Sequence, residues 1–239
     1  MYPGKYALTH PDRAAFIMAG SGITVSYAEF EARSNQLAHF LSAQGLGFQD
    51  HYSIFMENNE RYMESCAAGE RSGLYYTCIN SYLTGDELAY IVNNSESKVL
   101  ITSKSKSDVV AEALTSCPNI QMVLVTDAGD VQLPEAMVDF STAVNGCSTA
   151  PLAAETLGTS MLYSSGTTGQ PKGIIRPLPQ QPPSEPLPIF QFLGALWGYR
   201  EDMIYLSPAP LYHSAPQAAV SLTLRIGGTV VIMERFDSL

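Results

Sequence analysis

The chain has 239 residues, with 13 Lys and Arg against 23 Asp and Glu, which gives a formal net charge of −10. This acidic balance argues against a nucleic-acid groove, which needs a basic stripe, and against a polybasic membrane anchor. Charged residues make up only 15% of the chain and hydrophobic residues 46%, so a folded core is expected.

Targeting signals and metal-type cysteine spacing are not evident in the sequence. Residues 1–13 lack a basic end followed by an apolar run, which argues against a signal peptide. No run approaches the roughly 18 apolar residues of a transmembrane segment. The cysteines at 66, 78, 117 and 147 are widely spaced without a CxxC pair, so we expect reduced, mostly buried thiols, no zinc site and a cytoplasmic protein.

Strand and helix signals alternate through the first half of the chain. Gly20-Ser21-Gly22 predicts a turn between two short strands. Ser26 with Glu29, and Thr84 with Glu87, have the capping-box spacing that begins a helix. Strands are predicted over 14–18, 23–25, 52–56, 75–79, 99–102 and 122–126, and helices from 26 to about 45 and over 60–72, 84–93 and 106–116.

After a loop-rich connection over 127–157, the alternation restarts. Strands are predicted over 161–163, 203–206 and 229–233, and helices over 189–197 and after His213. Strands separated by helices pair in parallel through crossovers, and the continuously apolar strand 122–125 fits a sheet covered on both faces. We therefore predict an α/β fold with doubly wound, mostly parallel sheets and flanking helices. Its two lobes would be 1–157 and 158–239, the second being the start of a lobe.

A proline-rich segment interrupts this order at 177–188, with six prolines in 12 residues. Such a segment cannot be a helix or an inner strand. We expect an extended surface loop, either connecting the lobes or acting as a lid; a ligand for a proline-recognition domain is the alternative.

The segment 163–173, Tyr-Ser-Ser-Gly-Thr-Thr-Gly-Gln-Pro-Lys-Gly, follows a predicted strand. Its glycines allow backbone N–H groups to turn inward around an anion, its hydroxyls add donors and its lysine adds a positive charge. These residue types predict a phosphate-binding loop. The Walker pattern does not match, because Pro171 precedes Lys172 and Gly173 follows it.

This segment resembles the signature phosphate-binding loop of the adenylate-forming superfamily, which includes acyl-CoA synthetases, luciferases and the adenylation domains of peptide synthetases. The resemblance extends over nearly the whole chain and is closest to bacterial fatty acyl-CoA synthetases. The other matching segments are 24–30 with 34–38, 73–80, 206–213, and 227–233 with 235–237.

The resemblance implies a two-step reaction of an acid–thiol ligase. A carboxylate, here a fatty acid, attacks the α-phosphorus of ATP to give an acyl-adenylate and pyrophosphate, and coenzyme A then displaces AMP. Magnesium would bridge phosphate oxygens, retaining several waters. Because two anions must meet, positioning and neutralisation of charge should dominate catalysis.

The resemblance also implies roles for individual residues. Lys172 would supply the cation, and His213 corresponds to a histidine or aromatic position between the nucleotide and the carboxylate pocket; a loop histidine bonded to backbone is its alternative. Trp197, Tyr199 and Tyr212 would line an acyl tunnel or simply pack in the core. The residues implied to hold the β- and γ-phosphates are Ser164, Ser165, Gly166, Thr167, Thr168, Gly169 and Lys172.

Two departures from the family pattern matter. Arg176 and the proline-rich segment replace a helix with a histidine or asparagine after the lysine–glycine pair. The sequence also ends at Leu239, where family members run to about twice this length; the missing half carries the adenine and ribose motifs, a glutamate associated with magnesium and a mobile domain with a catalytic lysine. We therefore expect an N-terminal fragment that is inactive alone and self-associates through uncovered apolar surface.

Two other functions remain open from the sequence. One is a non-catalytic binding or assembly protein derived from such an enzyme. The other is an adenylating enzyme for aryl or amino acids, whose thiol acceptor would be a carrier protein. Binding of ATP without adenylation would distinguish the first, and the carboxylate used would distinguish the second.

Overall fold

A computed structural model describes residues 2–129, 133–134, 136–164 and 170–236. The helices in these ranges are α1 (Pro3–Thr9), α2 (Tyr27–Ala43), α3 (Tyr62–Ser72), α4 (Gly85–Asn94), α5 (Ser107–Leu114), α6 (Phe140–Val144), α7 (Pro188–Leu196) and α8 (Ser214–Arg225), with a 3₁₀ turn at Lys104–Lys106. The strands are β1 (Ala14–Met18), β2 (Thr24–Ser26), β3 (His51–Phe55), β4 (Tyr75–Cys78), β5 (Val99–Ser103), β6 (Met122–Thr126), β7 (Met137–Asp139), β8 (Thr159–Ser160), β9 (Leu162–Ser164), β10 (Lys172–Ile174), β11 (Ile204–Ser207) and β12 (Thr229–Ile232).

The larger sheet has six parallel strands in the order β7-β6-β5-β3-β4-β8. Its helices lie on both faces, so consecutive residues of an inner strand enter different cores. Val99 and Ile101 of β5 pack in one core, and Leu100 between them packs in the other with residues of α4 and α5. Burial on both faces explains the continuously apolar strands and confirms the predicted doubly wound α/β fold.

A four-stranded sheet, β11-β12-β1-β2, joins the beginning and the end of the described chain. β1 pairs in parallel with β12, with Phe16 opposite Val230, and antiparallel with β2. The boundary predicted at residue 157 does not separate the sheets, since β12 pairs with β1 and β8 pairs with β4. The division into two lobes stays a prediction.

Local signals place the starts and ends of two helices. Ser26 accepts a hydrogen bond of 3.2 Å from the Glu29 backbone N–H, and Glu29 accepts one of 2.9 Å from the Ser26 N–H, which confirms the capping box of α2. Gly73 ends α3 in the left-handed conformation, with φ of 65°. A glycine reaches that conformation without a steric penalty, so the chain turns directly into β4.

Secondary structure also forms where none was predicted. The connection 127–157 contains β7, which extends the large sheet beside β6, and α6, whose first turn is capped by Asp139 through a 2.7 Å bond from the Thr142 N–H. The helix α1 near the amino end was not predicted either. These elements are short, and their sequence periodicity is correspondingly weak.

The proline-rich segment has no regular secondary structure from 177 to 187, as predicted, but it is not entirely a surface loop. Leu178 is buried with Tyr75 and Met161 in a small core. The buried Arg225 side chain donates to the Pro183 carbonyl at 3.3 Å. The segment is thus packed against the body of the fold at these points.

Throughout the described ranges, the helices are too short or too polar to cross a bilayer.

Candidate active site

The predicted phosphate-binding segment begins in β9 and ends in β10, and these two strands pair antiparallel as a hairpin. Ser164 and Lys172 are direct partners in this hairpin, so they stand opposite each other at the two ends of the segment. Both side chains are exposed. Ser165, Gly166, Thr167, Thr168 and Gly169 lie outside the described residues, so their roles remain predictions.

Two tyrosines attach this hairpin to α4. The Tyr90 hydroxyl donates a hydrogen bond of 3.0 Å to the Pro171 carbonyl. The Tyr163 hydroxyl donates one of 2.7 Å to Oδ1 of Asn94. Tyr163 at the start of the predicted phosphate-binding segment and Pro171 near its end are therefore both held by α4.

The Tyr163 hydroxyl is held in its donor form. Burial, followed by the neighbouring Tyr90 hydroxyl, raises the pKa of Tyr163 to about 12. Gly173, opposite Tyr163 in the hairpin, allows this packing, because a Cβ there would approach the Tyr163 ring to 3.1 Å. The absence of a side chain at Gly173 therefore leaves room for the Tyr163 ring to pack against β10.

A partly open cavity of about 440 Å³ lies beside the hairpin. Its walls come from the end of β4, from α4, from β9 and from the start of α8. The lining residues include Asn80, Glu87, Ile91, Ser164, Pro171 and His213. The structure therefore brings His213 and one end of the predicted phosphate-binding segment to the same cavity.

His213 is the residue that precedes the first turn of α8, and its side chain is exposed. Its ring centroid lies 4.3 Å from that of Tyr212. Ser214, the first residue of the helix, also lines the cavity. The amino end of a helix carries unpaired N–H groups and a partial positive charge, so this wall of the cavity favours an anion.

The aromatic residues considered for an acyl tunnel have different positions. Tyr212 lines the cavity. Trp197 follows α7 and is 59% exposed, so the core alternative is wrong for this side chain. Tyr199 is half-buried, with its ring 6.4 Å from that of Tyr205 on β11. A shared acyl tunnel remains a prediction.

The side chains of the cavity do not by themselves form a metal site. Among the residues that the structure describes, no three His, Cys, Asp or Glu side chains converge as ligands. The Glu87 carboxylate accepts bonds of 2.9 and 3.0 Å from the N–H and hydroxyl of Thr84 in the capping box of α4. A magnesium ion here would depend on phosphate oxygens for part of its coordination.

These features define a protein in which a hairpin that carries a predicted phosphate-binding segment lies beside a cavity at the end of a parallel sheet. The model of the AMP-binding enzyme family matches residues 5–239, and the chain belongs to this family. This confirms the family resemblance identified from the sequence.

The relatives to which this chain is similar are named as CoA ligases. A medium/long-chain-fatty-acid–CoA/3-oxocholest-4-en-26-oate–CoA ligase of Mycolicibacterium smegmatis is 28% identical over 95% of this chain and 43% of its own length. A 3-oxocholest-4-en-26-oate–CoA ligase of Rhodococcus rhodochrous is 32% identical over 69% of this chain and 30% of its own length. This chain therefore spans less than half the length of these relatives.

The fold is also that of a solved structure, the N-terminal domain of FACL13 from Mycobacterium tuberculosis. The TM-score is 0.80 at 20% identity, and the alignment covers 98% of this chain and 56% of that one. This similarity confirms the predicted fold class.

Sequence reasoning missed the attachment of the hairpin to α4. Tyr90 and Asn94 are separated from their partners by 81 and 69 residues, respectively. No local pattern links residues so far apart.

Proposed function

We propose that this chain supplies the phosphate-binding part of an acyl-CoA synthetase that activates a fatty acid. The proposed reaction joins the carboxylate to the AMP part of ATP, releases pyrophosphate, and then transfers the acyl group to the thiol of coenzyme A. The single observation that supports this most directly is the position of Ser164, opposite Lys172 in the hairpin and lining the same cavity as His213.

In the proposed reaction, positively charged groups on two sides of the cavity would neutralise the negative charge of the substrates. Lys172 would neutralise phosphate oxygens, and its exposed ammonium suits a phosphate that arrives from solvent. The amino end of α8, with His213 before it, would stabilise negative charge on the other side of the cavity. Such preorganised donors lower the cost of bringing two anions together.

Magnesium, when bound, would neutralise the phosphate charge further and orient the leaving group. Thr167 and Thr168 are the hydroxyls that we propose contact the phosphates. The chain spans less than half of its relatives, and we propose that the adenine, ribose and thiol contacts are made by protein outside it.

Binding and adenylation should be measured separately on the 239-residue chain. Isothermal titration with ATP and magnesium tests the phosphate site, and pyrophosphate exchange with fatty acids of several lengths, and with benzoate, tests adenylation. Lys172→Ala should weaken ATP binding by about tenfold or more, since a charge-assisted bond contributes about 1.5–3 kcal/mol. Lys5→Ala, which removes the same charge from an exposed position of α1, is the matched control.

The outcomes separate the alternatives. Exchange with fatty acids supports the proposed ligase, whereas exchange only with benzoate supports the aryl-acid alternative. ATP binding without any exchange supports a non-catalytic binding protein for the chain by itself. Equal affinity in the Lys172→Ala variant and the unsubstituted chain would overturn the role of Lys172.

A further inference from the structure

Two thiols lie in contact at the edge of the cavity. Cys66 belongs to α3 and Cys78 ends β4, and their Sγ atoms are 3.8 Å apart. Cys66 is 1% exposed, whereas Cys78 is half-buried and lines the cavity. Cys78 therefore forms part of the cavity wall, and the Cys66 sulfur lies in contact with the Cys78 sulfur.

A buried amide binds both sulfur atoms. Nε2 of Gln217, on α8, is 2.8 Å from Sγ of Cys78 and 3.6 Å from Sγ of Cys66. Gln217 is only 5% exposed, so the amide is held in place. An N–H donor aimed at sulfur stabilises the thiolate over the thiol.

The two thiols differ in how readily they ionise. Burial acts to raise the pKa of Cys78, but its contacts with the Cys66 thiol, the Tyr62 hydroxyl and the Gln217 amide outweigh burial and lower it. Burial, followed by the contact with Cys78, raises the pKa of Cys66. Cys78 is thus the more readily ionised thiol of the pair, which favours it as the nucleophile.

We propose that Cys66 and Cys78 form an oxidation site that takes hydrogen peroxide, or a small organic hydroperoxide, from the cavity and stores the oxidation as a disulfide. This inference does not depend on the proposed ligase function. It rests on the contact between the two sulfurs, the position of Cys78 in the cavity wall and the buried amide at both sulfurs.

The reaction balances in two steps. The Cys78 thiolate attacks one peroxide oxygen, the O–O bond breaks, and the departing hydroxide takes a proton to become water, which leaves a sulfenic acid on Cys78. Sulfur of Cys66 then attacks sulfur of Cys78 and displaces hydroxide, which takes the Cys66 proton. The two thiols lose two electrons and two protons, and one hydrogen peroxide takes them up to become two waters.

Oxidation of the two thiols would affect the cavity through α8, which carries Gln217. In the disulfide, Cys78 no longer carries charge, so the Gln217 amide loses its strongest acceptor. Gln217 lies one turn after His213 and donates its backbone N–H to the His213 carbonyl at 3.1 Å. One helix therefore carries both the amide that contacts the thiol pair and the end that forms one wall of the cavity.

Mass spectrometry of the peroxide-treated 239-residue chain tests the site directly. Before alkylation the expected product is two hydrogens lighter than the reduced chain, and alkylation under denaturing conditions should then modify only two of its four cysteines. Trypsin should yield the peptides 62–71 and 72–98 joined by a disulfide, because cleavage after Arg71 separates the two cysteines. Absence of this link, or a predominance of links through Cys117 or Cys147, would overturn the proposal.

Substitutions separate the roles of the two sulfurs. Cys66→Ser should trap the sulfenic acid on Cys78, where dimedone labels it about tenfold faster than Cys147. Cys78→Ser should abolish the disulfide, and Cys147→Ser, the control, should preserve it. Equal labelling of Cys78 and Cys147 in the folded Cys66→Ser chain would overturn the assignment of Cys78 as the reactive sulfur. Circular dichroism checks that each variant is folded.

Discussion

The hydroxyl of Tyr90 donates a 3.0 Å hydrogen bond to the carbonyl of Pro171, the residue directly before Lys172. A helix of the large sheet thereby holds the chain where the predicted phosphate-binding segment enters β10. Because Tyr90 is a half-buried side chain on a capped helix, the contact connects the hairpin to a rigid part of the fold.

Removal of this single hydroxyl should weaken ATP binding without unfolding the chain. In Tyr90→Phe the ring remains and one hydrogen bond is lost, so the dissociation constant for ATP should rise about fivefold, since a typical bond contributes about 1 kcal/mol. Isothermal titration measures this effect. Tyr82→Phe, at a side chain that is 78% exposed, is the control, and equal losses in the two variants would contradict a positioning role for Tyr90.

Gly158→Ala should strongly destabilise the chain. A Cβ at Gly158 would collide with the backbone carbonyls of Gly69 and Leu74 and lie 2.8 Å from the Leu74 nitrogen, and backbone cannot rotate away as a side chain can. The free energy of unfolding should fall by about 3 kcal/mol. Urea denaturation measures this free energy. Gly47→Ala is the control, because a Cβ at Gly47 meets no atom within 4 Å. Similar unfolding free energies for the two variants would contradict the expected collision at Gly158.

Glu31→Ala should leave a buried cation without its main partner. Nη1 and Nη2 of Arg71 lie 2.8 and 2.9 Å from the two oxygens of Glu31, and the Arg71 side chain is 2% exposed. Breaking such a pair from one side costs about 3–5 kcal/mol of unfolding free energy. Thermal and urea unfolding measure the loss. Asp202→Ala removes the partner of the exposed Arg200 and should cost far less; a loss below 1 kcal/mol in Glu31→Ala would contradict the expectation.

Glu64 should make stability depend on pH. Burial, opposed in part by Arg61, raises the pKa of Glu64 to about 7 in the folded chain, against 4.5 for an ordinary glutamate. The folded state therefore holds the proton more tightly than the unfolded state. This contribution to stability is complete below pH 4.5 and is lost as the pH rises to about 7.

Glu64→Gln removes this titration. As the pH rises between the two pKa values, the free energy of unfolding of this variant should increase relative to that of the unsubstituted chain. The expected change is about 1.4 kcal/mol per pH unit, or about 3 kcal/mol in total. Urea unfolding between pH 4.5 and 8 measures the difference, with Glu185→Gln at an exposed position as the control. A difference for Glu64→Gln that stays constant over this range would contradict the buried, protonated state.

The sequence predicted the elements whose signals are local. The capping residues Ser26 and Thr84 mark helix starts through contacts within a few residues, and the structure confirms both. The alternation of strands and helices was enough for the fold class. Nothing local indicated that β1 pairs with β12, because that register depends on packing between distant segments.

The candidate site was predictable in part for the same reason. Lys172 and Ser164 belong to one continuous motif, and the structure places them opposite each other. The Cys66–Cys78 contact joins a helix to a strand, so a search for closely spaced cysteines does not find it. Tertiary contacts of this kind follow from the fold rather than from spacing along the chain.

The pairing of β1 with β12 has a consequence for synthesis of the chain. Arg13 donates to the Gly227 carbonyl across 214 residues, so β1 emerges from the ribosome long before its partner. At a synthesis rate of about 5–20 residues per second, β12 follows β1 after roughly ten to forty seconds. The strands from β3 to β7 can assemble during that time, while the apolar edge of the β1–β2 hairpin remains open to wrong partners. Completion of the four-stranded sheet must therefore wait until β12 has been synthesised.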